Sequence, residues 1–230
     1  MKGHYNAFGR LLVICARGVL WRWSVEGAAT VKAPAVFVVH HQDLYGPLHA
    51  TPLIPQEPRL WALGVFFRPG ICFKHFYGYT LTKRLGWPKP LAAVGAGAMA
   101  AVMPAVLRGI RAIPVYRGSV RVGETMRDSV QTLEKGRSVL LCPDRDYSSA
   151  EVDVGEIYTG FLHLEKRFYR QTGRHLAFVP VHCCRDSKIM YIGEAVRFPD
   201  GVPYQDACSQ VAQELVEGMN RLARAGGDIK

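Results

Sequence analysis

The apolar positions of the chain are grouped into short unbroken runs that alternate with longer stretches of helical spacing. Ala35-Val36-Phe37-Val38-Val39 is apolar throughout and mostly β-branched, with Pro34 before it and polar residues after it. Such a run suits a strand buried on both faces inside an α/β sheet. Ala112 to Gly118, Ser138 to Cys142, Leu176 to Val181 and Tyr191 to Phe198 predict further strands. Helical spacing appears over Tyr5 to Trp23. It recurs over Glu124 to Lys135, where Met126, Val130 and Leu133 share a face and Gly136 closes the C′ position. Phe161 to Arg170 predicts a helix with a basic face, and Tyr204 to Ala223 a terminal helix carrying Ala207, Val211, Leu215, Met219 and Leu222. Leu48 to Leu53 begins another helix. The stretch from there to Lys89 is aromatic and basic, and suits either core or a surface facing lipid. The alternation argues for an α/β fold.

Composition narrows the picture. A chain of 230 residues, 49% hydrophobic and without a linker-like break, predicts one domain over residues 24–230 behind an amphipathic helix at 1–23. Trp21, Arg22 and Trp23 end that helix with the mixture of aromatic and basic groups that suits lipid head groups. The other reading is an ordinary amphipathic helix on the sheet. Leu91 to Leu107 falls just short of the roughly 18 to 20 apolar residues that span a bilayer. It is rich in alanine and glycine and contains Pro104, which predicts a buried or surface-dipping helix. The amino end lacks the small-residue cleavage site of a secretory signal.

The 29 Lys and Arg against 19 Asp and Glu give +10, which predicts an anionic partner. Their dispersal, with no zinc-finger spacing and no aromatic RNA-binding signature, argues against nucleic acid and leaves an anionic membrane surface or a phosphorylated substrate. The six cysteines fall largely in apolar runs, which suits a reducing compartment. His182-Cys183-Cys184 has no partner motif, and neighbours on a strand face opposite ways, so core packing is favoured over metal binding.

The candidate chemistry follows the first strand. His40, His41, Gln42 and Asp43 stand at its carboxyl end, where open α/β sheets place their ligand crevice. Catalysis and a polar helix-capping loop are both open on these residues alone. Downstream segments add an order. Ile113-Pro114-Val115-Tyr116-Arg117 ends a strand in a base, Pro143-Asp144-Arg145-Asp146-Tyr147-Ser148 follows another strand, and Val179-Pro180-Val181 lies in a third.

In this order the chain resembles the glycerolipid acyltransferases of the lysophosphatidic acid (1-acylglycerol-3-phosphate) acyltransferase family, as a divergent member. His41 falls on the histidine of that family's N-H-x-S-x-x-D motif, and Gly46 stands where the family has its aspartate. Pro143, Asp144 and Ser148 fall on its F-P-E-G-T-R-S motif, with Gly-Thr-Arg replaced by Arg145-Asp146-Tyr147. Gly160 keeps a further glycine.

The resemblance implies one mixed sheet flanked by helices, with the motif loops meeting at one edge. It implies transfer of a fatty acyl group from an acyl thioester, acyl-CoA or acyl carrier protein, to a hydroxyl of a glycerol-based lipid at the cytoplasmic face of a membrane. His41 would be the general base, with Asp43, or else Asp144 from the segment matching F-P-E-G-T-R-S, as the substitute for the missing aspartate. Arg117 would bind the acceptor's phosphate, and Asp144 with Arg145 would order the pocket. No metal or organic cofactor is implied. The alternative is a catalytically degenerate lipid- or acyl-binding protein at the membrane surface.

Overall fold

Strand β2 (Ala35–Val39) is fully buried at all five residues, because neighbouring strands pair with it on both sides and helices cover both faces. The computed structural model describes residues 4–27, 31–116, 118–146 and 151–229, and within these the strands form one seven-stranded sheet. Its order is β1 (Ser24–Glu26), β7 (Ile189–Ile192), β6 (Ala177–Cys183), β2, β5 (Val139–Leu141), β3 (Arg59–Leu63) and β4 (Ile113–Val115). The last five run parallel to one another, whereas β7 is antiparallel to β6 and β1 is parallel to β7. The sheet is therefore mixed, and the fold is α/β.

The period of two along β2 divides the core. Val36 and Val38 face α5 (Val122–Glu134), α6 (His163–Thr172) and α7 (Tyr204–Gly226), packing with Leu133, Phe168, Phe178 and Leu215. Ala35, Phe37 and Val39 face α2 (Tyr45–Leu53), packing with Ala50, Val179 and Val181.

Helix α1 (Ala7–Val19) is shorter than the predicted Tyr5 to Trp23. Asn6 caps it by accepting a 2.8 Å bond from the Gly9 amide. Helix α2 begins at Tyr45, ahead of Leu48. Strand β7 ends at Ile192, so most of the strand expected over Tyr191 to Phe198 is loop, and Val196 returns only as an isolated bridge to Phe178.

The aromatic and basic stretch folds into β3, a 3-10 turn (Gly64–Phe67), α3 (Pro69–His75), a π-helical segment (Phe76–Arg84) and α4 (Lys89–Gly109). Strand β3 is inserted between β5 and β4, which no sequence pattern indicated: Arg-Leu-Trp-Ala-Leu is half-buried at every position and has no alternation. Helix α4 covers the run Leu91 to Leu107. It extends beyond the apolar run at both ends to 21 residues, long and apolar enough by length and composition to cross a membrane. One face, Ala92, Ala96, Ala100 and Leu107, is buried in the protein, while Leu91, Val94 and Val102 are exposed.

Candidate active site

Three parallel strands end together at the sheet's carboxyl edge. The register Val38 with Leu141 and Val39 with Val181 brings His40, the Cys142-Pro143-Asp144 turn and His182 side by side. His40 continues the Val36 and Val38 face of β2, so it points into the core and is buried. Asp144 is buried beside it. Its loop is braced by a short antiparallel contact in which the Tyr158 amide donates to the Pro143 carbonyl at 2.8 Å and the Arg145 amide to the Glu156 carbonyl at 3.1 Å.

The Asp144 carboxylate serves both histidines in different ways. One oxygen bonds Nδ1 of the His40 ring, and the other accepts the backbone N–H of His41 at 3.1 Å. Nε2 of His40 lies 2.9 Å from the Glu151 carbonyl oxygen. Both ring nitrogens of His40 are thus engaged with oxygens, which leaves no lone pair directed at a substrate. His41 is half-buried, with its Nδ1 shielded from solvent. The amides of Leu44 and Gly46 both donate to its carbonyl at 3.1 Å, so His41 is fixed at the entrance to α2.

The backbone beyond His41 is strained. Gln42, Asp43 and Leu44 have φ of 44°, 60° and 123°, values that residues with side chains rarely adopt. The turn carries Asp43 outward, where its carboxylate meets Arg84 at 2.6 Å and not His41. Gln42 goes the other way: its side-chain amide is buried and both polar atoms lack a hydrogen-bond partner. Arg145 also points outward, paired with Glu156 at 2.7 Å. Arg117, Tyr147 and Ser148 lie outside the described residues.

The sequence resemblance sets Gly46 against the family's aspartate, and the structure leaves no room for a side chain there. A Cβ would overlap the His40 carbonyl oxygen far inside van der Waals contact distance, and would lie 3.0 Å from its carbon and 3.1 Å from Cγ1 of Val39.

A second buried cluster lies beside His40. Nε2 of His182 is 2.9 Å from Asp228, and the same carboxylate accepts the Cys184 thiol at 2.8 Å and the backbone amides of Arg185 and Asp186. Burial lowers the pKa of His182, with the neighbouring His40 acting the same way. Burial alone would raise that of Asp228, but the bonds from Cys184, His182 and the two amides hold it below its usual value. Burial pushes the Cys183 thiol up, which makes it a poor nucleophile. No group of three His, Cys, Asp or Glu among the described residues is arranged to hold a metal.

Sequence reasoning missed the pairings of His40 with Asp144 and of His182 with Asp228. A signal for the buried histidines existed in the period of two: His40 follows Val36 and Val38, and His182 follows Phe178 and Pro180.

A cleft of ≈ 590 Å³ opens between α5 and α6, lined by Val122, Met126, His163, Lys166, Arg167 and Arg170. Helix α5 follows β4 and α6 precedes β6, so both helices begin at the edge that carries His41.

No family model matches the chain, and no curated protein matches it in sequence. Among solved structures, the crystal structure of the 1-acyl-sn-glycerophosphate (LPA) acyltransferase PlsC from Thermotoga maritima is similar, with a TM-score of 0.53 over 93% of this chain and 80% of that one. This chain has the fold of that acyltransferase. At 13% identity the likeness is one of architecture, and it agrees with the motif order in the sequence.

Proposed function

We propose that the protein transfers a fatty acyl group from an acyl thioester, acyl-CoA or acyl carrier protein, to a hydroxyl of a glycerol-based lysolipid resembling lysophosphatidic acid. The observation that carries this reading is the Asp144 carboxylate, which locks the His40 ring and the His41 backbone together at the carboxyl edge of an acyltransferase-like sheet. His41 is the general base: it takes the hydroxyl proton as the oxygen attacks the thioester carbonyl, and the thiol of the donor leaves with that proton. His40 is a positioning residue. Arg117, two residues beyond β4 in the sequence, would offer a guanidinium fork to the acceptor's phosphate. The cleft between α5 and α6 suits the same amphiphilic substrate, since Val122 and Met126 give apolar wall and Lys166 and Arg167 give charge.

Release of free thiol from an acyl-CoA on addition of lysophosphatidic acid tests the assignment. The expected result is turnover that His41→Ala reduces by about 10² to 10⁴-fold. Turnover that survives this change would remove His41 from the mechanism. One observation favours the alternative of a catalytically degenerate lipid- or acyl-binding protein: Gly46 supplies no carboxylate, and Asp43 is committed to Arg84. Tight lysolipid binding with no thiol release from any acceptor is the result that reading requires.

The proposed place of work is the cytoplasmic face of an anionic membrane, bound peripherally. Phe8, Leu11 and Ile14 form an exposed apolar stripe on α1, and Leu91, Val94 and Val102 are exposed on α4, which packs against α1. Gly9 and Gly109 permit that close crossing, because neither position has space for a Cβ without displacing the other helix. In vesicle flotation the protein is expected to rise with acidic vesicles. Leu11→Glu with Ile14→Glu should abolish flotation while leaving Tm unchanged, since both side chains are exposed. Unchanged flotation of the double variant would show that α1 is not the contact.

A further inference from the structure

The edge of the sheet opposite His41 carries a concentration of charge that acyl transfer does not use. Arg59 is the first residue of β3 and pairs with Val139, the first of β5, so it marks the amino-terminal edge. Around it lies a cleft of ≈ 410 Å³ whose walls include Arg59, Arg108, Arg111, Lys135 and Arg137, with Asp128 as the one carboxylate among the lining residues.

Three of these cations are held by neutral acceptors. Arg59 donates through Nε to the Arg111 carbonyl at 2.6 Å and through Nη1 to the Thr132 hydroxyl at 2.9 Å. Arg108 donates to the Phe67 carbonyl at 3.0 Å, and Arg137 bonds Nδ1 of His4. Glu57 accepts the His4 backbone amide at 2.8 Å. Asp128 offsets part of the charge at Arg59, but the cations in the cleft outnumber it, and like charges gathered in this way repel.

Two further features agree. Arg111 turns the chain from α4 into β4 with φ of 50°, a conformation that glycine or asparagine adopts at much lower cost. The chain keeps an arginine there, on the lip of the cleft. Burial, followed by Arg137, Arg59 and Arg111, lowers the pKa of His4 to about 4, as expected for a half-buried imidazole beside several cations.

We propose that this cleft binds a phosphate-bearing anion at a site separate from the acyl-transfer edge. Planar guanidinium forks match phosphate oxygens bidentately, and several converging cations favour a doubly charged phosphate over a single carboxylate. The phosphate can belong to a soluble molecule or to a lipid head group, because Arg108 ends α4, the helix with the exposed apolar face. The inference does not depend on acyl transfer.

The test uses the full chain, with inorganic phosphate and pyrophosphate as soluble probes and sodium chloride at matched ionic strength as control. Saturating phosphate is expected to raise Tm by about 5 °C over the chloride control. The Arg111→Gln/Lys135→Gln double variant should lose this shift, whereas His41→Ala should keep it, so that failure here is distinguishable from failure of the catalytic assignment. A parallel arm measures binding to phosphatidylcholine vesicles with and without phosphatidic acid. A variant-sensitive Tm shift with either soluble probe assigns the soluble source. Variant-sensitive preference for phosphatidic acid without a shift assigns the lipid source. Absence of both responses, or equal responses in the wild type and the double variant, overturns the proposal.

Discussion

Asp144→Asn is expected to lower kcat for the proposed acyl transfer about a thousandfold and to lower stability at the same time. The side chain is buried and accepts from two places at once, the His40 ring and the His41 amide. An asparagine has the same shape but one carbonyl oxygen and one NH2, so it must present a donor either to the His41 N–H or to His40. His40 then loses the carboxylate it is bonded to, in a buried site where an unmatched polar group costs about 1–3 kcal/mol. The turn that aims His41 loosens with it. Steady-state kinetics and thermal melts on one preparation check the outcome, with KM for the acyl donor expected to move little. Asp43→Asn is the control. Its carboxylate is half exposed on Arg84, a pair of the kind that contributes about 0–1 kcal/mol, and its loss should leave kcat within a few-fold. If Asp43→Asn proves the more damaging change, Asp43 must turn inward on substrate binding, and the role given to Asp144 passes to it.

The contrast between these aspartates shows what the sequence could convey. Ala35 to Val39 was legible as the buried central strand because an apolar run bounded by Pro34 and His40 has few other places to go. The order of strand-end motifs was legible for the same reason, and it led to the correct fold. Partners distant in sequence were not legible. His40 and Asp144 are separated by 104 positions and Asp43 and Arg84 by 41, and only the strand register and the π-helical segment bring them together. Adjacent histidines also looked equivalent in the sequence. The pleat separates them: His40 follows β2 into the core, and His41, one residue on, begins the strained turn into α2. Strand β3 escaped notice because it is half-buried throughout and opens with Arg59, whose charge belongs to the cleft on the opposite edge.

The strained turn also decides what happens when the missing aspartate is restored. By motif alone, Gly46→Asp should repair the site and raise activity. In this backbone it should do the reverse, because the new Cβ would overlap the His40 carbonyl oxygen and press on Cγ1 of Val39. A backbone oxygen cannot rotate away as a side chain can. The segment that would have to move, Gln42 to Leu44, already holds three consecutive positive φ values and has little slack. His40 is in turn bound to Asp144, so the displacement would be passed to the pair that aims His41. Gly46→Ala separates steric from electrostatic causes, since it adds the Cβ without the charge. Overpacking of this kind costs about 1–3 kcal/mol, and at about 2–4 °C per kcal/mol for a chain of this size Gly46→Ala should lower Tm by roughly 2–12 °C. Gly46→Asp should lower it further, because a carboxylate is added where the position is buried. Both variants should be less active than the wild type. A Gly46→Asp protein with wild-type Tm and higher kcat would show that the turn relaxes to admit a carboxylate beside His41, and that the turn is the adjustable part of this site.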